Sequence, residues 1–219
     1  MSNYHIKHLE EYFQVYRKSV RNPEAFWEEI AEEHFVWRKK WNNVLSWDFS
    51  KPEIKWFEGA KLNITENCID RHLPTRGDKT AILFEPNDPN EEALHITYRE
   101  LHERVCRMAN VLLDKGIKKG DRVCIYLPMI PELAVAVLAC ARIGAIHSVV
   151  FAGFSSSALA ARINDCECKL LITSDGSYRG SKTIDLKGIV DKALDNCPVV
   201  KTVLVAKRIN TDIPMVDGR

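Results

Sequence analysis

The sequence predicts an α/β protein, in which a helical, tryptophan-rich N-terminal segment precedes a mostly parallel, doubly wound sheet. Three observations carry this prediction. Strand-like runs at 123–127, 147–151, 169–173 and 202–206 are separated by helical stretches too long for hairpins, which implies parallel strands covered on both faces. All five tryptophans (Trp27, Trp37, Trp41, Trp47 and Trp56) fall in the first 70 residues. Glycines and Ser, Thr, Asn or Asp caps stand where each helix should stop or start.

Taken in order, a helix is expected over His8–Ser19 and a second over Glu24–His34, with Asn22 as N-cap and Pro23 at the first helical position. The tryptophans follow no single period. They fit a small helical core or an irregular segment that lays aromatic side chains on a neighbouring domain. Ile64–His72 is a short helix capped by Asn63, and Thr80–Phe84 and Ala93–Ile96 are strands. Thr97-Tyr98-Arg99-Glu100 forms a capping box. It opens a helix with Leu101, Val105, Met108, Ala109 and Leu112 on one face, which stops at Gly116.

Gly120-Asp121 turns the chain into the β-branched run Val123–Leu127, and Pro131-Glu132 opens an apolar helix that Gly144 closes. The strand His147–Phe151 is followed by a helix capped by Ser155 and reaching Asn164. After the strand Lys169–Thr173, Asp185 caps a helix to about Asn196, and Thr202–Ala206 is the last strand. Arg208–Arg219 is expected to be a loop interrupted in mid-course. The domain boundary is placed between 1–75, the aromatic region, and 76–219, the sheet region.

Composition narrows the partners. Lys plus Arg number 31 against 30 Asp plus Glu, a net charge of +1, which gives no electrostatic case for nucleic acid or an anionic membrane. The longest apolar stretch, Leu133–Ala141, falls far short of the roughly 20 residues of a membrane span. Met1–His5 lacks the design of a signal peptide, so the expected location is cytoplasmic. Seven cysteines with no framework spacing suit free, buried thiols in a reducing compartment. Cys166-Glu167-Cys168 has no second ligand pair at matching spacing, so no metal site is expected. His147 is expected as a core histidine, His102 on the surface, and Glu28-Glu29 and Glu32-Glu33 on a solvated helix face.

Ligands of an open parallel sheet bind beyond the carboxyl ends of its strands, and two loops there carry unusual residues. Phe151-Ala152-Gly153-Phe154-Ser155 has small residues that admit a ligand to the backbone and two rings for a flat apolar partner. The plainer account, favoured by spacing alone, makes both phenylalanines core and Gly153 a turn. The loop 175–183 combines Arg179, Lys182, Gly176, Gly180 and the hydroxyls of Ser177, Ser181 and Thr183 ahead of a helix, a composition suited to phosphate. It is not a P-loop, because Ser181 stands where glycine must precede lysine. No Gly-x-Gly-x-x-Gly follows a strand and no Gly-x-Ser-x-Gly occurs, so a nicotinamide-dinucleotide domain and a serine-hydrolase elbow lose their support.

Larger blocks then align with a known family. Trp56-Phe57-Glu58-Gly59-Ala60-Lys61-Leu62-Asn63 with Asn67, Asp70 and Arg71 comes first, then Thr97–Leu101, Gly120–Val123, Pro128–Glu132 through Ala139, Gly144–His147 and Phe151–Ser155. From about Tyr12 to about Arg208 the chain resembles the N-terminal part of AMP-forming acetyl-coenzyme A synthetases, in the acyl-adenylate-forming superfamily. The resemblance implies an acetate–CoA ligase acting in two steps. Acetate attacks the α-phosphate of ATP with Mg²⁺ assisting, and the coenzyme A thiol then displaces AMP from acetyl-adenylate.

It also implies that Phe151, Ala152 and Gly153 together with Arg179, Gly180, Ser181 and Lys182 contact coenzyme A. Arg179 would grip the 3′-phosphate, Lys182 would assist, and Phe151 would border the adenine. Ala152, where relatives often carry glycine, and Lys182, where they may carry arginine, are mild departures. The family's phosphate loop, acetate pocket, Mg²⁺-holding acid and catalytic lysine have no counterpart in this sequence. The resemblance therefore implies no catalytic or metal-binding residue here, dependence on the remainder of the same polypeptide, and no ligation by this piece alone. Partners would be small molecules (acetate, ATP and CoA). Alternatives are a propionyl or other short-chain acyl-CoA synthetase and a non-catalytic CoA-binding module.

Overall fold

The computed structural model describes residues 6–216, and the chain divides into two compact units between Asn67 and Cys68. The first unit opens with helices α1 (Leu9–Arg21) and α2 (Pro23–His34). The His8 ring accepts from the Glu11 N–H at 3.2 Å and Asn22 Oδ1 from the Ala25 N–H at 3.2 Å, so each N-terminus has a side-chain cap. An antiparallel hairpin follows, β1 (Asn43–Asp48) and β2 (Glu53–Glu58), which the sequence had not suggested. Its residues are exposed on both faces, Val44 being the one buried among them, so no alternation marks it.

Trp37, Trp41 and Phe57 meet with ring centroids 5.0–5.5 Å apart. Trp37 donates to the Ala31 carbonyl at 2.8 Å and Trp41 to Glu28 at 3.0 Å. These half-buried rings pack on one another within their own unit, whereas Trp47 stays exposed against Phe49. Glu29 pairs with Lys18 and Glu32 with Lys40, so this carboxylate face is exposed and also cross-braced.

The expected helix over Ile64–His72 is broken into α3 (Ile64–Cys68), a 3-10 turn (Asp70–His72) and α4 (Leu73–Arg76). Ile69, at φ −124° and ψ −66°, leaves the helical region and is wholly buried, so core packing overrides local continuity. β3 (Thr80–Phe84) and β4 (Leu94–Thr97) pair with each other in an antiparallel ribbon, and α5 covers Tyr98–Asp114. Both halves of the Thr97/Glu100 capping box are present, and Gly116 follows α5 at φ +81°.

The remaining elements are β5 (Arg122–Ile125), α6 (Pro131–Ile143), β6 (Ile146–Val149), α7 (Ser156–Cys166), β7 (Leu170–Ser174), β8 (Ser177–Arg179), β9 (Lys182–Ile184), α8 (Leu186–Leu194) and β10 (Thr202–Ala206). Four strands form a parallel sheet in the order β10-β7-β5-β6. Alternation along the strands builds two cores. Val123, Ile125, Leu170 and Ile172 face α5 and α6, while Cys124, Tyr126, Leu171 and Val203 face α7 and α8. The sheet is doubly wound, as the sequence predicted.

Two histidine expectations change. His147 is exposed on the edge strand β6, and His102 is half-buried with Nε2 3.7 Å from Asp70 Oδ1. All seven cysteines are free, and Cys124, Cys140, Cys168 and Cys197 are buried. Burial pushes the Cys140 thiol up to about 12, which leaves it unreactive at neutral pH. Among the described residues no helix is long and apolar enough to cross a membrane.

Candidate functional site

Ile125 is paired with Val149 on one side and Ile172 on the other, so β6 ends level with Ile172 and β7 runs two residues further, to Ser174. The segment 150–155 leaves β6 and the segment 175–184 leaves β7, both at the carboxyl edge of the sheet. Across the sheet, two strand spacings separate β6 from β7 by roughly 10 Å. The parallel topology thus brings both sequence-selected loops to one edge, where open α/β sheets bind ligands.

At the first loop neither phenylalanine belongs to the core. Phe151 is 69% and Phe154 38% exposed, and the rings meet edge to face at 5.9 Å and 81°. Gly153 does not make its turn by a left-handed φ. A Cβ there would run into Phe151 Cε1 and lie 3.1 Å from Cδ1, so any larger residue would push the exposed Phe151 ring out of its place. Ala152 packs partly into the sheet core, and Ser155 Oγ accepts the Ala158 N–H at 3.3 Å to cap α7. The Tyr126 hydroxyl donates to the Phe154 carbonyl at 2.7 Å, and burial raises its pKa. The Arg162 guanidinium lies 4.4 Å over the Phe154 ring. One ring is therefore held from behind while Phe151 presents a free face.

The second segment, expected as a loop, is a hairpin with a two-residue turn. Arg179 pairs with Lys182, Tyr178 with Thr183 and Ser177 with Ile184. Gly180 has φ +61° and Ser181 lies outside the left-handed region, a hairpin turn that requires glycine first. The unforeseen strands leave little apolar signal, because each is only three residues long and β9 is mostly exposed.

Directly opposed residues of a hairpin share a face, with Cβ atoms about 5 Å apart. Arg179 and Lys182 are therefore two exposed cations on one face, and among the described residues neither has a carboxylate partner. Opposed like charges weaken a hairpin. They are stabilised when an anion binds between them.

Sequence reading missed what anchors this hairpin. Asp175, 1% exposed, accepts backbone N–H groups from Gly176 at 2.8 Å, Arg208 at 2.7 Å, Ile209 at 3.1 Å and Thr211 at 3.3 Å. Burial works to raise its pKa, but these donors prevail and hold it below the usual carboxylate value. Ser174 Oγ donates to the Gly176 carbonyl at 2.8 Å. An aspartate directly after a buried strand and followed by glycine was the available signal. Asp185 Oδ1 accepts from the Gly188 N–H at 2.7 Å, confirming its expected cap.

Comparisons with known proteins identify the family. The family model described as AMP-binding enzyme matches residues 69–215, and that described as acetyl-coenzyme A synthetase N-terminus matches residues 12–68. An acetyl-coenzyme A synthetase of Halorhodospira halophila is 54% identical over 211 residues, covering 96% of this chain and 33% of that protein. Its counterpart in Alkalilimnicola ehrlichii is 56% identical over 208 residues, covering 95% and 32%. The solved acetoacetyl-CoA synthetase from Streptomyces lividans superposes with a TM-score of 0.84 at 31% identity, covering 92% of this chain and 30% of that one. The chain spans about a third of the length of the curated relatives it matches. With its sheet region and its aromatic region both matched, the chain belongs to the AMP-binding enzyme family and carries the N-terminal segment of acetyl-coenzyme A synthetases.

Proposed function

We propose that this chain is the N-terminal part of an AMP-forming acetate–CoA ligase and that it contributes part of the coenzyme A surface. The observation that carries the site is the Arg179–Lys182 pair, two exposed cations on one hairpin face with no carboxylate partner among the described residues. Arg179 provides a planar fork for the 3′-phosphate and Lys182 a point charge beside it. Gly180 and Ser181 form the tip between them. Phe151, cleared by Gly153 and flanked by Ala152, offers a ring face to the adenine at the other loop. The acetyl rather than another acyl substrate is supported by the match of residues 12–68 to the acetyl-coenzyme A synthetase N-terminus.

In the whole reaction acetate attacks the α-phosphate of ATP to give acetyl-adenylate and pyrophosphate, and the CoA thiol then takes the acetyl group and releases AMP. The residues in hand bind and orient the CoA nucleotide end, and none is assigned a bond-making role. No residue is assigned to Mg²⁺ either, because the family's Mg²⁺-holding acid has no counterpart in this sequence. The other partners are acetate, ATP and the remainder of the polypeptide, and the setting is cytoplasmic. Residues 1–75 are assigned to the aromatic region and 76–219 to the beginning of the adenylate-forming domain.

Two measurements test this. The chain should bind CoA more tightly than dephospho-CoA, and Arg179→Ala should abolish the preference. It should also show no acetate-dependent pyrophosphate release. Equal binding of both ligands by the wild type would overturn the site, and pyrophosphate release would overturn the division of labour.

A further inference from the structure

We propose that Arg208 is a positioning residue for the hairpin that presents Arg179 and Lys182, an inference that rests on the assignment of that hairpin to the CoA phosphate. β8 and β9 are three residues each. A two-stranded ribbon of that size does not hold its shape alone in water, so its geometry must come from outside.

Arg208 supplies it. Its guanidinium carbon lies 5.1 Å from the Tyr178 ring centroid and 5.6 Å from that of Phe84, and Nη1 lies 3.8 Å from Glu91 Oε2. Tyr178 adjoins Arg179 in the hairpin, so its side chain lies on the face opposite the two cations. Arg208 thus grips the back of the hairpin and leaves its front open. Its own backbone is fixed by the Asp175 carboxylate, which also binds the Gly176 N–H at the hairpin's root. One residue couples the end of β10, the end of β3 and the hairpin.

The contact has an electrostatic side as well. A cleft of about 300 Å³ separates the hairpin from the segment 87–91, with Tyr178, Gly180 and Ser181 on one wall and Asp88 and Glu91 on the other. Those carboxylates oppose the approach of a phosphate to the hairpin tip. Arg208 spans the two walls and offsets Glu91. The guanidinium Nη2 is buried with no hydrogen-bond partner among the described residues. Its hold therefore comes from the two rings and Glu91 and not from a full set of hydrogen bonds.

The test is a ¹⁵N NMR titration of the chain with CoA and with dephospho-CoA, which reads affinities into the millimolar range. Arg208→Ala should raise the Kd for CoA roughly five- to tenfold, the scale of one cation–π contact, and leave dephospho-CoA within about twofold. Arg208→Lys, which keeps a cation against the rings, should recover most of the loss. In an Arg179→Ala background Arg208→Ala should add nothing further, since it acts through Arg179. Tyr178→Leu, which removes the ring and keeps the cation, should reproduce the selective loss even where Arg208→Ala is too unstable to titrate. Equal losses for both ligands, or additive losses with Arg179→Ala, would mean that Arg208 only stabilises the fold. A wild type that does not distinguish the two ligands, or an Arg179→Ala variant that binds CoA normally, overturns the phosphate assignment itself.

Discussion

Asp175 accepts the Arg208 backbone N–H at 2.7 Å, so the residue leaving β7 holds the chain leaving the neighbouring strand β10. A carboxylate whose folded pKa is depressed contributes stability that is present above its unfolded value of about 3.9 and is lost as pH falls through the folded value. Asp175 is in that position. Asp175→Asn, which keeps the size and removes the charge, should cost about 1–3 kcal/mol at pH 7. In a chain of this length that lowers Tm by roughly 2–10 °C. Melting curves at pH 7 and pH 3 provide the check: the gap between variant and wild type should narrow on acidification. A constant gap would mean that side-chain shape, not charge, anchors the strand ends.

The Arg179–Lys182 pair sets stability against binding. Arg179→Ala should weaken CoA by about 1.5–3 kcal/mol, the scale of a charge-assisted contact, with dephospho-CoA nearly indifferent. Lys182→Glu should do the opposite to the fold. Placing a carboxylate opposite Arg179 replaces repulsion by attraction across the hairpin, and about 0.2–1 kcal/mol of added stability is expected in urea unfolding. CoA affinity should fall at the same time. A Lys182→Glu chain that is both less stable and equally good at binding would contradict the same-face placement of the two side chains.

Much of this arrangement is legible in the amino-acid sequence. The two central parallel strands announced themselves because burial on both faces makes the runs 123–127 and 170–172 continuously apolar. Caps at Thr97, Ser155 and Asp185 were legible because each is a local rule that needs only neighbouring residues. What escaped depended on contacts far apart in sequence. The β1–β2 hairpin shows no alternation because both its faces are largely exposed. The break at Ile69 reflects burial in a core built from distant residues. At the site, Arg179 and Lys182 were selected by composition, but their opposition across a turn needed the register. Asp175 and Arg208 were invisible as partners, standing 33 residues apart.

Gly153 is a second point at which the site can be tested without removing a charge. A methyl at this position meets the Phe151 ring and not backbone, so the ring must swing aside. Because Phe151 is exposed, that movement costs little, and Gly153→Ala should change stability by less than about 1 kcal/mol. Displacing the ring from the adenine position should nonetheless weaken both CoA and dephospho-CoA, each by roughly three- to tenfold, the scale of one aromatic contact. Parallel titration of the two ligands separates this effect from that of Arg179, which is selective for the 3′-phosphate. Unchanged affinity for both would remove Phe151 from the adenine surface.

The capping box at the start of α5 tests whether the helix that covers one face of the sheet depends on its first turn. Thr97 Oγ1 accepts the Glu100 N–H at 3.2 Å, and Glu100 returns a bond by accepting the Thr97 N–H at 2.8 Å. The Thr97 N–H and the Thr97 hydroxyl, which donates to the same carboxylate at 3.0 Å, hold the Glu100 carboxyl below its ordinary pKa. Thr97→Ala removes the hydroxyl and should cost about 1 kcal/mol in urea denaturation at neutral pH. Glu100→Gln, which can still accept the Thr97 N–H but has no charge for the helix dipole, should cost less. Since a depressed carboxyl stabilises only above its unfolded pKa, the Glu100→Gln penalty should vanish on acidification, while most of the Thr97→Ala penalty persists. If both penalties fade together, the box acts through the Glu100 charge alone. If neither variant shifts the unfolding midpoint, packing of Leu101, Val105 and Leu112 holds α5 in place without its cap.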